Sequence, residues 1–534
     1  MTLPRFPQSR IAAVLLCGVL CAIEAPAATP CDGLLNLELP NTRITFAQQT
    51  PKGNLLGPFD RLVKDVPAFC RVAGVIRPSK DSEIHFEVWM PESGWNRKFR
   101  AAGNGGFAGS INFGDMAAAV RDGFATASTD TGHSADGVDA GWALGHPEKI
   151  VDYGYRAIHE MTAKAKAIIQ AFYGEAPQRS YFAACSNGGR QALMEAQRFP
   201  DDYDGILAGA PANFWTHLLS AGFFGVEAPM LKDKARYIPK TKVPAIANAV
   251  LAACDVADGV KDGILSDPVT CHFDAATLLC KGADSDSCLT APQVTTLKAI
   301  YAGVKTAQGE QIFPGSTPGG EDGPGGWPLW ITGPAAGRSL GFAFGIGFFR
   351  NMVFDSSTWN PEDSNLEAGT QAADTKMAAD LNSTNPDLKP FEAHGGKLIL
   401  YHGWSDAAIP PLNTVNYYRS VVNTIGSPET GSFVRLYMVP GMQHCGGGPG
   451  PNLFGQSGAA KPGDAEHDIS TALADWVENG IAPGPVVAVK YAKDNPGNPV
   501  EMTRPLCPYP QVARYKGSGD PKDAANFTCA SAAN

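Results

Sequence analysis

Between residues 83 and 212 the apolar and polar positions run in two alternating periods. Short, strand-like apolar runs occur at "IHFEVWM" (84–90), "RKFRAAG" (97–103), "FATASTDTG" (124–132) and "DGILAGAP" (204–211). A helix-like stretch, "YRAIHEMTAKAKAIIQAFYG" (155–174), lies among them, and "YFAACSNGGRQALMEAQRFP" (181–200) reads as strand, tight turn and helix. This β-α-β rhythm predicts a mainly parallel sheet covered on both faces. The rhythm breaks from 213 to about 393, where acidic loops and Gly/Pro clusters such as "PGSTPGGEDGPGGWPLW" (314–330) take over. It resumes at "GKLILYHG" (396–403) and "FVRLYMVPG" (433–441), followed by an amphipathic helix at "DISTALADWVENG" (468–480). The expectation is one α/β domain, residues 28–212 and 394–534, interrupted by a lid domain at 213–393. An insert of that size points to substrate recognition.

The first residues change the picture of where the chain works. Arg5 and Arg10 flank the start of an apolar run at 11–23 that is too short to span a bilayer, and Ala25-Pro26-Ala27 offers a small-x-small cleavage pattern. A signal peptide over residues 1–27 and a secreted or periplasmic protein are expected. No later stretch of ~20 unbroken apolar residues offers a membrane anchor. The formal net charge of −10, with no basic run, argues against a nucleic-acid partner.

Export permits disulfides. Ten cysteines remain after position 27. Cys254/Cys271, Cys280/Cys288 and Cys507/Cys529 are close enough to pair locally. Cys31, Cys70, Cys185 and Cys445 then admit three pairings.

The candidate chemistry centres on Ser186. The usual nucleophile elbow is G-x-S-x-G; this chain has Ala184-Cys185-Ser186-Asn187-Gly188. A strand-to-helix turn projects such a serine above the sheet and places backbone N–H groups at a helix start, where an oxyanion develops. The order Ser…Asp…His of that fold is met by Asp406, after the strand ending at 403, and His444, after the strand ending near 441. Asn187 supplies one oxyanion donor. Gly105 or Gly106, in the loop "AAGNGGFAG" (101–109), supplies the second. Cys185 is itself a candidate nucleophile. Its place at a strand end turns it away from the direction of Ser186, and an exported free thiol is prone to oxidation. Cys445 follows His444 as Cys185 precedes Ser186. If Ser186 and His444 meet, a Cys185–Cys445 bridge is available, which leaves Cys31–Cys70.

A second constellation is "CDVADGVKDGILSDPVTC" (254–271). Asp255, Asp258 and Asp262, with the carbonyls of Val260 and Ile264, form an oxygen set suited to calcium, although the spacing is not that of an EF-hand. "HEMTA" (159–163) begins like a zinc motif but ends on Ala163. No helix-opening G-x-G-x-x-G or Walker pattern occurs, so no organic cofactor is expected.

These motifs together resemble the tannase/feruloyl esterase family of α/β-hydrolases, which includes mono(hydroxyethyl) terephthalate hydrolases. The resemblance rests on "ACSNGGRQALMEAQRFPDDYDGILAGAPA", "GNGGFAG", "STDTGH", "CDVADGVKDGIL", "YHGWSDAAIPP", "GMQHCGGG" and the tail "RPLCPYPQVARYKGSGDPKDAANFTC". It implies an α/β-hydrolase fold with a large lid, a triad of Ser186, Asp406 and His444 beside a Cys185–Cys445 bridge, and a structural calcium in the lid. It also implies a secreted serine esterase acting on a small aromatic ester: feruloyl first, galloyl second and terephthalate third. Ile409 stands where terephthalate hydrolases carry an aromatic residue. "GFAFGIGFFRNMVF" (341–354) is the expected pocket wall, with Arg350 facing an acidic or phenolic group. The rival from another class is a non-catalytic, calcium-stabilised binding protein on a hydrolase fold. Such proteins usually lose a triad member, and none is missing here.

Overall fold

The structure is a computed structural model and describes residues 1–2, 28–456 and 464–531. The expected signal peptide falls almost wholly outside the described residues. In chain order the main strands are β1 (Thr42–Thr50), β2 (Phe69–Ile76), β3 (Ile84–Pro91), β4 (Lys98–Ala102), β5 (Ala125–Thr129), β6 (Arg179–Cys185), β7 (Gly205–Gly209), β8 (Lys397–Gly403) and β9 (Val434–Val439). The main helices are α1 (Phe113–Arg121), α2 (Ala157–Tyr173), α3 (Asn187–Arg198), α4 (Val243–Cys254), α5 (Ala291–Ala302), α6 (Leu340–Phe348), α7 (Leu366–Leu381), α8 (Leu412–Ile425) and α9 (Ile469–Asn479).

The nine strands form one sheet in the order β1-β2-β3-β5-β4-β6-β7-β8-β9. Pairing is antiparallel from β1 to β5 and parallel from β5 onward. The period-2 reading of β8 explains how its two faces are used. Leu398 and Leu400 pack with Val415 and Val421 of α8 and with Ala192 and Leu193 of α3. Ile399 and Tyr401 point the other way, to Ile469, Leu473 and Trp476 of α9. Burial on both faces is why β7, β8 and β9 read as continuous apolar runs. The expected fold class, a mainly parallel α/β sheet, is observed. The antiparallel β1–β2 pair was not foreseen; Cys31–Cys70 ties its N-terminal approach to β2.

Residues 210–396 leave the sheet after β7 and return to it at β8, the neighbouring parallel strand. Within this insertion α4 and α5 build a small core around Ile246, Val250, Leu297 and Trp327. A second cluster joins Leu218, Leu219, Phe344 and Phe348 of the insertion to Phe107 and Tyr153 of the sheet domain. All five expected disulfides are present, including Cys254–Cys271, Cys280–Cys288 and Cys507–Cys529.

Candidate active site

Ser186 sits between the end of β6 and the start of α3 with φ 67° and ψ −126°. A non-glycine residue in the left-handed half of φ costs about 1–3 kcal/mol, and the surroundings must hold it there. They do so by close approach. The Ser186 N–H donates to Gly209 O at 3.0 Å, and its carbonyl accepts from Arg190 N and Ala212 N, both at 3.1 Å. A Cβ on Gly189 would lie 2.3 Å from Gly209 O, and one on Gly188 would lie 2.5 Å from the Ala184 methyl. Ala184 itself replaces the expected glycine because its methyl nests between Gly103 and Gly188, where only glycines leave room.

Strand ends bring the partners in. His444 Nε2 is 2.9 Å from Ser186 Oγ, and His444 Nδ1 is 2.8 Å from Asp406 Oδ2. Asp406 Oδ1 accepts the N–H groups of Ala408 at 2.8 Å and Ile409 at 3.0 Å. Burial alone would raise the Asp406 carboxyl. The facing His444 and the hydrogen bonds from His402 and His444 override it and hold the group well below the usual carboxylate range. Asp406 is therefore an anion that fixes the His444 ring with Nδ1–H toward it and Nε2 toward Ser186. His402 was missed in the sequence. It is wholly buried at the end of β8, with Nε2 3.1 Å from Asp406 Oδ2 and Nδ1 2.7 Å from Thr414 Oγ1. Its place four residues before Asp406, closing a strand, is the signal that could have found it.

Cys185 and Cys445 are bridged, with Cα atoms 6.0 Å apart, so Cys185 carries no thiolate and is not the nucleophile. The bridge joins the residue before Ser186 to the residue after His444.

Asn187 opens α3, and Gly105 and Gly106 lie beside Ser186 in the wall of the same cavity. The first N–H groups of a helix have no partner within it, so the Asn187 N–H is placed for an anion. The glycine loop is held from behind. Gly106 has φ 55°, and a Cβ there would lie 2.2 Å from Gly137 O. The Tyr153 hydroxyl is shared between Gly106 O at 2.9 Å and Asn187 Oδ1 at 3.0 Å. Fully buried Arg190 locks this pair. It donates to Asn187 Oδ1 at 2.8 Å, Tyr153 O at 3.0 Å and Gly154 O at 2.9 Å. His133 touches Phe107 O at 2.8 Å and stacks on Trp142. Burial drops the His133 pKa to about 4, so it is neutral at pH 7.

The cavity that Ser186 and His444 enter measures about 330 Å³. Trp215, Leu219, Phe223, Trp330, Phe344 and Ile409 form its apolar walls, and the Trp330 ring lies edge-on to His444 at 5.4 Å. Of the expected wall at 341–354, only Phe344 lines it. Arg350 does not. Six residues on, at about 100° per residue, the helical path has turned Arg350 to another face, where its guanidinium donates to Trp359 O.

The acidic loop lies between Cys254 and Cys271 and turns through Gly259 at φ 92° and Gly263 at φ 80°. Asp255 and Asp258 accept backbone N–H groups of Gly263 and Val260, and Asp262 pairs with the buried Arg504 at 2.5 Å. No hydrogen bond reaches the carbonyls of Val260 and Ile264 among the described residues. Three carboxylates, one matched by Arg504, leave two negative charges for a divalent cation, and the free carbonyls supply the neutral ligands calcium takes. The donor set fits. The three carboxylates do not all converge to within 4.8 Å, so a bound cation would have to draw them together.

Comparison with known proteins places this geometry. A family model described as tannase and feruloyl esterase matches residues 70–530. An uncharacterized esterase of Xanthomonas campestris pv. campestris is 44% identical, over 95% of this chain and 92% of its own length. A probable feruloyl esterase B-2 of Aspergillus terreus is 34% identical, over 93% and 94%. The crystal structure of feruloyl esterase B from Aspergillus oryzae superposes with a TM-score of 0.85 at 30% identity, covering 94% of this chain and 99% of that one.

Proposed function

The chain belongs to the tannase and feruloyl esterase family and is a carboxylic ester hydrolase; on that premise we propose that it hydrolyses esters of phenolic acids, feruloyl esters first, through an acyl-enzyme on Ser186. The observation that carries the reading is the chain of contacts Ser186–His444–Asp406, at 2.9 and 2.8 Å. His444 takes the Ser186 proton as Oγ attacks the ester carbonyl. Asp406 stabilises the imidazolium that results. The oxyanion meets the Asn187 N–H and that of Gly105 or Gly106. His444 then returns the proton to the leaving alcohol, and water, activated by the same ring, releases the acid.

An aromatic acyl group is supported by the cavity, whose volume lies at the small end of ligand sites and whose walls are aromatic and aliphatic. Residues 213–393 act as the lid that supplies those walls. Galloyl esters rank second. Terephthalate half-esters rank third, since aliphatic Ile409 faces the cavity. Asp255, Asp258, Val260, Asp262 and Ile264 would hold the calcium, whose part is to stiffen the lid. Secretion after loss of residues 1–27 completes the reading, and the five disulfides support it.

A hydrolysis panel of methyl ferulate, methyl gallate and mono(hydroxyethyl) terephthalate tests the substrate, with ferulate expected to be fastest. Ser186→Ala should lower kcat by about four to six orders of magnitude. A Ser186→Ala enzyme within tenfold of the parent would overturn the mechanism. A serine-directed phosphonate that leaves Ser186 unlabelled would favour the non-catalytic rival.

A further inference from the structure

A second cavity, of about 480 Å³, adjoins the first. The two share only Gly105, Cys185 and Cys445. The oxyanion loop and the disulfide are thus their common wall. The linings differ in kind. The first is aromatic and aliphatic. The second presents Asn112, Asp115, Asn452, Gln456 and Asp494 beside the peptide groups of Gly446 and Gly447.

The polar groups of this chamber are unevenly committed. Each side-chain amide nitrogen already donates within the protein. Asn104 Nδ2 donates to Ser110 O and Thr129 O, both at 2.8 Å. Asn112 Nδ2 donates to Gly103 O at 3.1 Å and Asp115 Oδ2 at 2.9 Å. Asn452 Nδ2 donates to Gly450 O at 3.1 Å and Asp494 Oδ1 at 2.8 Å, and Gln456 Nε2 donates to Asn452 O at 2.6 Å. Lys490 Nζ is 2.5 Å from the same Asp494 oxygen and also donates to Gly448 O. What the chamber offers a ligand is mainly acceptors: carboxylate oxygens, amide oxygens and carbonyls. Asp115 and Asp494 against Lys490 leave one net negative charge.

The reaction fixes which part of an ester can reach this space. The carbonyl oxygen must sit at Asn187 and the glycine loop, and the ester oxygen must face His444, which delivers its proton. Cys445, Gly446 and Gly447 follow His444 directly, so an alcohol leaving past the histidine moves over the disulfide into the polar chamber. On the proposed ester-hydrolase reading, we infer that this chamber is the leaving-group subsite and that it selects a neutral alcohol bearing several hydroxyl groups. Hydroxyls bring the donors that the chamber lacks. An alcohol bearing a carboxylate meets like charge and acceptors without donors.

The test holds the acid fixed, using the one fastest in the panel above, and varies the alcohol across methanol, a monosaccharide linked through its primary hydroxyl, and a hydroxycarboxylate. In the parent enzyme the sugar ester should exceed the methyl ester at least tenfold in kcat/KM. It should exceed the hydroxycarboxylate ester as well, by a margin that narrows at high salt. A side chain begun at Gly446 meets nothing within 4 Å, so Gly446→Phe intrudes without displacing the backbone. It should cut the sugar-to-methyl ratio at least fivefold. Asp494→Asn should raise the hydroxycarboxylate-to-sugar ratio. Reading ratios within each variant cancels any general loss of activity. A sugar-to-methyl ratio near one in the parent, or one that neither variant moves, overturns the inference and leaves the esterase reading standing. Failure to hydrolyse all three esters overturns both.

Discussion

The sheet and the insertion between β7 and β8 are stabilised by different means. The sheet is a period-2 structure with a core on each face, and every group in the Ser186–His444–Asp406 chain hangs from a strand end. The insertion contributes no strand to that sheet among the described residues. Its short helices are held by the Cys254–Cys271 and Cys280–Cys288 bridges, a small core of its own and the acidic loop. Atoms that must stay within a few tenths of an ångström belong to the first kind of structure. Walls that shape a pocket can belong to the second. The difference predicts that perturbing the sheet side changes the chemistry with the fold intact, whereas perturbing the insertion changes stability and substrate binding first.

The sharpest break would come at Asp406. Asp406→Asn presents an amide where the histidine ring needs an anion, favouring the wrong tautomer, and should lower kcat by about 10⁴-fold. Circular dichroism should show the fold retained. A loss below tenfold would mean that the 2.8 Å contact with His444 is not used in the reaction.

Calcium is the matching probe of the insertion. Chelation should lower the thermal midpoint by the linkage lost, about 2.7 kcal/mol if the ion is present at 100 times its Kd. Excess calcium should restore it, and Asp258→Asn should abolish the response. A chelator without effect on the midpoint would remove the ion from the account. If the two regions differ as argued, KM should rise on chelation before kcat falls.

The two regions also differed in how far they could be read. β3 to β9 were legible because burial on alternate or both faces writes a period into the sequence, and the elbow was legible because a nucleophile turn needs glycines at fixed offsets. The insertion writes no such period. Phe344 and Arg350 lie on one apolar stretch, yet only Phe344 reaches the cavity, because which face of a helix points inward is decided by what packs against it. His402, Tyr153 and Arg190 went unremarked for a similar reason. Each is a common residue type inside an element, and its importance lies in contacts with residues distant in the chain, as with Arg190 and Leu381 O. Ala184 was an oddity in the motif. The glycines at 103 and 188 that accommodate it are far apart in sequence and adjacent in space.

Tyr153 sits at the seam and tests whether the oxyanion loop is held as the geometry implies. Tyr153→Phe keeps the ring against Trp215 and removes the hydroxyl shared by Gly106 and Asn187. The expected result is a roughly tenfold fall in kcat with KM nearly unchanged, since a misplaced donor costs more in the transition state than in the bound ester. A change confined to KM would reassign Tyr153 to the pocket wall.

The smallest effect divides the two regions by pH. Glu227, in the insertion, is buried, and burial raises its pKa from 4.5 to about 8, an effect only partly offset by the N–H groups of Gly337 and Phe342. Asp130, after β5, is likewise raised by burial from 3.8 to about 8. In both cases the folded state keeps a proton that the unfolded chain releases near pH 4. Each group's contribution is therefore fully present below its unfolded pKa and is lost as pH rises toward 8. Glu227→Gln cannot ionise, so it should flatten the part of the stability–pH slope that belongs to the insertion, by on the order of a kcal/mol or more across that window. The slope from Asp130 should remain. Denaturant titrations at pH 5 and pH 8 that follow tryptophan fluorescence would show this, because Trp327 and Trp330 report on the insertion while Trp89 reports on the sheet. If Glu227→Gln alters the two transitions equally, the regions unfold as one cooperative unit, and the contrast between them concerns function and not stability.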